Sequence, residues 1–252
     1  MGISIIIITK NEEAVIGRCL ESVAWADEIV VVDSGSTDHT HEICHAADVK
    51  LHITDDWPGY GPQRNRAIDL ASNDWMLALD ADEWVTLELR TEIEQIMRDP
   101  SDNTVAWRIP RLSSYCGRYM RHGGWWPDYV IRLFRHGHAR FCGSIVHERL
   151  ISNGPIGKLH AHLMHEAFLD PEEVLRKINS YSTWGAQTLS ENGKRANLSK
   201  AVGHGLWTFI KTYFFRLGFL DGREGFMLAV SNAEGAYYKY VKLMLSSAKS
   251  FS

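Results

Sequence analysis

The chain has 252 residues, with 27 Lys and Arg against 31 Asp and Glu, 45% apolar residues and four cysteines. This length allows one large domain or one domain with an appendage, and the composition excludes a disordered chain, a collagen and a disulfide-stapled miniprotein. The net charge of −4 hides an asymmetry, because nine basic residues face three acidic ones from Lys194 onward, a net +6 that leaves −10 on residues 1–193.

In chain order, the opening run Ile3 to Ile8 is almost wholly β-branched, which suits a strand buried on both faces. It is short and has no basic leader, which reads against a secretory signal. Asn11 is placed to cap a helix with Val15, Ile16, Leu20 and Val23 at helical spacing. Ile29 to Val32 predicts a second buried strand ending at Asp33, and Ser34-Gly35-Ser36-Thr37-Asp38 is turn chemistry opening a second helix. A short strand is expected over 50–54. Gly59 to Pro62 breaks the chain before a helix through Arg64, Ala67, Ile68 and Ala71. Trp75 to Leu79 predicts a fourth strand, with Asp80-Ala81-Asp82-Glu83 at its carboxyl end. Alternating strands and helices of these lengths predict an α/β fold with a mostly parallel sheet flanked by helices. After residue 100 the pattern changes to shorter strands near 105–110, 129–134 and 138–141 among Gly- and aromatic-rich loops. A helix then opens at Pro171, and two more follow near 199–217 and 222–245.

In open α/β sheets, ligands bind beyond the carboxyl ends of the strands. Three polar clusters fall there: Thr9-Lys10-Asn11-Glu12, Asp33-Ser34-Gly35-Ser36 and Asp80-Ala81-Asp82. Two carboxylates one residue apart at a strand end suit a hard cation such as Mg²⁺ or Mn²⁺, which takes one or two protein carboxylates plus substrate phosphates. An isolated acidic turn would look the same, and the two neighbouring polar strand ends argue for a site. An Asp at a strand end can accept hydrogen bonds from a base or ribose, while Gly35 and Asp38 also serve the turn and the helix start. No G-x-G-x-x-G or P-loop is present, which disfavours dinucleotide redox chemistry and ATP hydrolysis. The cysteines, Cys19, Cys44, Cys116 and Cys142, lie far apart without a C-x-x-C pair and read as free thiols of a reducing compartment.

These clusters occur with Gln63-Arg64-Asn65 in an order that resembles family 2 glycosyltransferases of the GT-A, nucleotide-sugar-binding, Rossmann-like fold. Trp125-Trp126-Pro127-Asp128, Arg132-Leu133-Phe134-Arg135 and Val146-His147-Glu148-Arg149-Leu150 extend the resemblance to bacterial lipopolysaccharide inner-core β-1,4-glucosyltransferases. The resemblance implies an inverting, metal-dependent enzyme that moves a hexose, glucose in the first instance, from a UDP-sugar to an inner-core heptose or another lipid-anchored glycan. It implies that Thr9, Asn11, Glu12, Asp33, Arg64 and Asp80 hold the nucleotide sugar and that Asp82, with Asp80, ligates the metal. An inverting transfer needs a base to take the acceptor hydroxyl's proton. The resemblance implies Glu148 for that role, with Asp128 as the alternative and a salt bridge to an Arg as the plainer use of Glu148.

His160-x-His162-x-x-His165-Glu166 is not H-E-x-x-H, so its spacing does not predict a metalloprotease. Related enzymes add a distal His to the metal or diphosphate, which singles out His165. Trp125 and Trp126 offer flat faces to a sugar ring and Arg132 suits acceptor phosphates, unless this stretch is an ordinary aromatic core. The expected organisation is a nucleotide-sugar-binding half over 1–100, an acceptor-binding half over 101–193 and an amphipathic helical extension over 194–252. Leu206, Phe209, Ile210, Tyr213, Phe214 and Leu217 recur at helical spacing with Lys211 and Arg216 between them. Such a stripe suits either a core or the plane of an anionic leaflet, and the latter would place the chain on the cytoplasmic face of the inner membrane. No stretch reaches the roughly 20 apolar residues of a spanning helix. Nucleic acid is disfavoured by the acidic body. A sugar nucleotidyltransferase and a non-enzymatic, membrane-associated sugar-binding protein are the competing classes.

Overall fold

A computed structural model of the chain describes residues 2–99, 103–142 and 149–248. The chain forms two compact units, Met1–Arg111 with Asp128–Glu166, and Leu112–Pro127 with Ala167–Ser252. These units divide the chain elsewhere than the functional boundaries expected at 100 and 193, since β6 (Ala106–Tyr115) begins in the first unit and ends in the second.

The first unit opens with β1 (Ile3–Thr9), α1 (Ile16–Ser22), β2 (Glu28–Asp33), α2 (Thr40–Ala46), β3 (Lys50–Ile53), α3 (Tyr60–Leu70) and β4 (Trp75–Asp80). These strands pair in parallel in the order β3-β2-β1-β4. Every residue of β1 is buried, and the side-chain period of two sorts them between two cores. Ile3, Ile5 and Ile7 pack with Ile16, Cys19 and Leu20 of α1. Ile6 and Ile8 pack with Ala67 and Ile68 of α3. A strand covered by helices on both faces takes apolar residues on both, which accounts for the run Ile5 to Ile8. The polar Ser4 before that run is buried with its hydroxyl hydrogen-bonded to Glu28 and Asn73.

Beyond β4 the sheet becomes mixed, continuing β4-β8-β6-β12-β5. These are β8 (Asp128–Arg135), β12 (Leu163–Phe168) and β5 (Glu83–Val85); β8 lies antiparallel to both β4 and β6. Residues 83–98, assigned no element from sequence, form β5 and α4 (Leu87–Arg98), whose start is capped by Thr86 Oγ1 accepting from Leu89 N at 3.2 Å. The short β7 (Arg118–Tyr119) and β11 (Ile156–Lys158) join β6, while β9 (Ala139–Phe141) and β10 (Leu150–Ser152) form a separate hairpin.

Asn11 does not cap α1, which starts at Ile16. It takes a left-handed backbone (φ 56°), and its Oδ1 accepts from Thr37 N at 2.8 Å, so the loop after β2 captures the side chain.

In the second unit α5 (Pro171–Glu191), α6 (Leu198–Ile210) and α7 (Gly222–Ala248) pack together. Asp170 and Asn197 cap the first two, accepting from Glu173 N at 2.7 Å and Lys200 N at 2.9 Å. The helix expected over 199–217 breaks at Ile210 into a π turn, Lys211–Phe215. Leu217 is left-handed (φ 57°), and a 3₁₀ turn over Gly218–Asp221 leads into α7. The corner is tight enough to require glycine, since a Cβ on Gly225 would lie 1.8 Å from Gly218 O.

Candidate active site

The parallel register sets Thr9 beside Asp33 and Ile8 beside Asp80, so the carboxyl ends of β2, β1 and β4 lie side by side. This is where the three polar clusters were expected to meet. Asp33 is fully buried and is held by its own loop: its Oδ1 accepts from Gly35 N and Ser36 N, both at 2.8 Å, and lies 2.7 Å from His41 Nε2. Burial alone would raise its pKa, but the hydrogen bonds from His41 and Ser36 outweigh it and hold the carboxyl below its usual range. Asn11 and Glu12 sit in the loop after β1, which is laced to the loop after β2. Asn11 N donates to Ser36 Oγ at 2.8 Å and Glu12 N to Thr40 Oγ1 at 2.9 Å. Thr9 Oγ1 is buried with no hydrogen-bond partner.

On the other side of β1, Asp80 lies between two arginines. Arg64 of α3 binds its Oδ1, and Arg132 of β8 binds its Oδ2 at 2.5 Å. Arg132 also reaches Glu83 Oε1 at 2.8 Å, and Arg111 joins Glu83 at 3.2 Å to Asp128 at 2.7 Å. The result is an alternating array of three guanidinium groups and three carboxylates. Burial works against the ionised form of Asp80, yet Arg132 and Arg64 hold its carboxyl far below the usual range. Arg132 is buried too, and the Asp80 and Glu83 carboxylates keep it firmly protonated. Glu83 Oε2 further accepts from Asp80 N at 3.0 Å and fixes the acidic turn. Sequence reasoning took Glu83 only as a companion of the acidic pair and gave Arg111 no role. A charged residue inside an otherwise apolar strand pattern is the signal that could have flagged Arg111.

Asp82 faces a different environment from Asp80. Its Oδ1 is buried without a hydrogen-bond partner, and its Oδ2 lies 3.4 Å from His165 Nε2 on β12. Of the three spaced histidines, His165 is the one that reaches the acidic turn, since β12 pairs with β5 and sets His165 opposite Glu83. An orphaned carboxylate oxygen beside an imidazole fits a divalent cation. Both oxygens of Asp80 are engaged by arginine. Among the described residues no three His, Cys, Asp or Glu side chains converge on one point.

Asp128 is at the head of β8, 42% exposed, and its Oδ2 accepts from Arg111 Nη2 at 2.7 Å and Nε at 3.0 Å. Glu148 lies outside the described residues. The hairpin base nearest to it is firmly held: Asn65 of α3 brackets Phe141, accepting from its N at 3.0 Å and donating to its O at 2.9 Å. Cys142 N donates to Arg149 O at 2.9 Å. Trp125 and Trp126 belong to the second unit. Trp125 stacks on Phe168 with centroids 5.6 Å apart, and the Arg121 guanidinium lies 5.9 Å from the Trp126 ring.

Residues 4–149 match the model of glycosyl transferase family 2. An uncharacterized glycosyltransferase of Rickettsia typhi is 34% identical over 98% of this chain and 88% of its own length. The lipopolysaccharide core biosynthesis glycosyltransferase LpsC of Rhizobium meliloti is 33% identical over 96% of this chain and 92% of its own. Among solved structures, S. aureus TarS 1-349 in complex with UDP-GlcNAc superposes with a TM-score of 0.50 at 16% identity, covering 99% of this chain and 92% of that one. A longer TarS chain gives 0.50 at 18% identity over 87% of this chain, which spans 45% of its length. The fold is that of the GT-A glycosyltransferases, and the protein is an enzyme of that class. More narrowly, the chain belongs to glycosyltransferase family 2, and among its relatives is a lipopolysaccharide core glycosyltransferase. Family membership sets aside the nucleotidyltransferase and the non-enzymatic readings.

Proposed function

We propose that this chain is an inverting, divalent-metal-dependent hexosyltransferase that moves glucose from a UDP-sugar to a heptose of the lipopolysaccharide inner core, working on the cytoplasmic face of the bacterial inner membrane. The observation that carries the reading is the buried, unpartnered Asp82 Oδ1 beside His165 at the edge of the three strand ends. Mg²⁺ or Mn²⁺ bound there would neutralise the charge that grows on the leaving diphosphate. Asp82 and His165 are the residues that would hold it.

Thr9 offers its free hydroxyl to the nucleotide, and Asn11, Glu12 and Asp33 shape the two laced loops around it. Arg64 serves the nucleotide and also orients Asp80, whose ion pairs keep the turn rigid. Glu148 is the base that takes the proton from the acceptor hydroxyl as its oxygen attacks the anomeric carbon. Asp128, already accepting two hydrogen bonds from Arg111, is the alternative. Arg132 braces Asp80 and Glu83 while serving the acceptor side, and Trp125 and Trp126 supply flat faces for a sugar ring. The functional division into 1–100, 101–193 and 194–252 is part of the same reading.

The test is UDP release from candidate UDP-sugars with Mn²⁺ or Mg²⁺. Wild type is expected to release UDP only with metal and acceptor. Asp82→Ala should lose that activity, and Glu148→Gln should lose turnover while keeping donor affinity. Metal-independent release, or undiminished turnover in Asp82→Ala, would overturn the proposal.

A further inference from the structure

The second unit contains a cavity of about 600 Å³ that the donor-side chemistry does not use. Its walls include the rings of Tyr115, Trp125, Phe168 and Trp207. Trp125 meets Tyr115 edge-on with centroids 5.9 Å apart. Four cations, Lys177, Lys211, Arg216 and Lys239, also line it, and no carboxylate does. Lys177 is paired with Glu173 at 2.9 Å, while among the described residues Lys211 and Arg216 have no carboxylate partner and Lys239 meets only the face of Tyr240, its Nζ 5.3 Å from the ring centroid. Three uncompensated positive charges thus border an aromatic hollow that also offers Thr208, Thr212, Ser231 and Asn232 as hydrogen-bonding groups.

That lining selects a ligand by exclusion. A free inorganic anion would leave the aromatic walls wet, and a neutral lipid would leave the cations unanswered. An amphiphile with a phosphate head answers both. Lys211 and Arg216 also belong to the corner after α6, where Ile210, Phe214, Phe215, Leu217 and Leu220 are exposed, Phe215 by 70%, and Trp207 lies beside it in the last turn of α6. The cavity is therefore continuous with a strongly apolar rim.

We propose that this cavity is a binding site for the phosphate-bearing head of a lipid, with the acyl portion lying against the exposed corner. The head can come from a phosphoglycolipid acceptor or from an ordinary anionic phospholipid, and both share the chemistry that the cavity recognises. The site requires nothing of the donor chemistry.

The experiment uses the full chain and short-chain lipids below their micelle threshold, read by calorimetry and by tryptophan fluorescence, since two tryptophans line the cavity. Dihexanoylphosphatidylglycerol should bind at least about tenfold more tightly than dihexanoylphosphatidylcholine, the scale of one charged hydrogen bond. A Cβ on Gly235 meets nothing within 4 Å, and Gly235 lines the cavity, so Gly235→Leu starts a side chain in open space at the cavity wall and takes up part of the hollow. This variant should lose the phosphatidylglycerol signal while its unfolding temperature holds or rises, as Gly leaves a helix interior. Gly203→Leu, equally open at its Cβ but outside the lining, should bind as wild type does. Replacing Lys211 and Arg216 together by Gln should erase the preference between the two head groups. Competition by monophosphoryl lipid A separates the two sources: displacement at much lower concentration indicates the glycolipid acceptor, and equal displacement indicates bilayer phospholipid. Unchanged binding in Gly235→Leu, or equal binding of the two short-chain lipids, would overturn the proposal. Because no donor or turnover is involved, either result leaves the UDP-sugar reading standing, and failed UDP release leaves this one standing.

Discussion

At the scale of single residues, the two unpartnered oxygens at the strand ends, Thr9 Oγ1 and Asp82 Oδ1, are sites where the fold carries a desolvation cost of roughly 1–3 kcal/mol each without a compensating bond. Thr9→Val removes one of them at constant shape. The expected outcome is unchanged or slightly raised stability together with about tenfold weaker donor binding, read by urea unfolding and by calorimetry with UDP. A purely structural Thr9 would show the reverse pattern. Glu28 offers a contrasting case, since it is buried and fully satisfied. Burial would raise its pKa, but Lys50, Ser4 and the Ser72 amide and hydroxyl bring it from 4.5 down to about 2. A depressed folded-state pKa means that the stabilisation is complete above the unfolded value and is lost as pH falls from about 4.5 towards 2. With Lys50 60% exposed and screened, the contribution is on the order of 2 kcal/mol. Glu28→Gln should therefore unfold at lower urea at pH 7, and the gap to wild type should narrow at pH 3.

At the scale of elements, α3 governs the site through a close approach. A Cβ on Gly61 would stand 2.3 Å from Cys142 O, a backbone atom that cannot step aside cheaply. Gly61→Ala should push α3 away from the hairpin of β9 and β10, lower stability by about 1–3 kcal/mol and reduce kcat/KM by displacing Arg64. Thermal unfolding and steady-state kinetics would show both effects, and an unaffected Tm would count against the contact. The elements that sequence made legible are those whose pattern is local. Ile3 to Ile8 and Val30 to Val32 read as buried strands because helices cover both faces, and the acidic pairs stood out because they close such strands. The arginine–carboxylate array was not legible. Arg111 and Arg132 come from β6 and β8, and only the antiparallel turn of the sheet after β4 brings them to Asp80 and Glu83. The break at Ile210 was equally hidden, because the helical stripe runs through it and the close approaches of Gly218 to Thr212 and of Gly225 to Gly218 beyond it are contacts across a corner. Asn11 misled for a related reason, as a good cap was taken by a neighbouring loop.

At the scale of the whole molecule, the sequence places a net +6 on the part that also exposes Trp207, Phe214, Phe215 and Leu220. Among the described residues no helix is long and apolar enough to cross a membrane. The proposed association rests on that charge and on those exposed rings, by surface attraction and shallow insertion. The chain should sediment with phosphatidylglycerol vesicles at low salt and much less at about 0.5 M salt, where screening acts within roughly 4 Å. Phe214→Ser with Phe215→Ser should weaken the sedimentation and leave the unfolding transition in place. Vesicle binding that ignores both salt and these substitutions would remove the corner from that role.

The polypeptide passes from one unit to the other at Arg111, at Pro127 and again at Glu166. Neither unit is a continuous stretch, so no single scission releases either intact: a fragment ending near residue 166 keeps most of one hydrophobic interior but leaves residues 112–127, with the end of β6 and β7, stripped of α5 and α7. Cutting the chain at residue 166 is therefore expected to yield a fragment that exposes the apolar side chains of Tyr115 and Met120, which Val174 and Leu228 cover in the whole chain, and that binds a hydrophobic dye more strongly than the whole chain does.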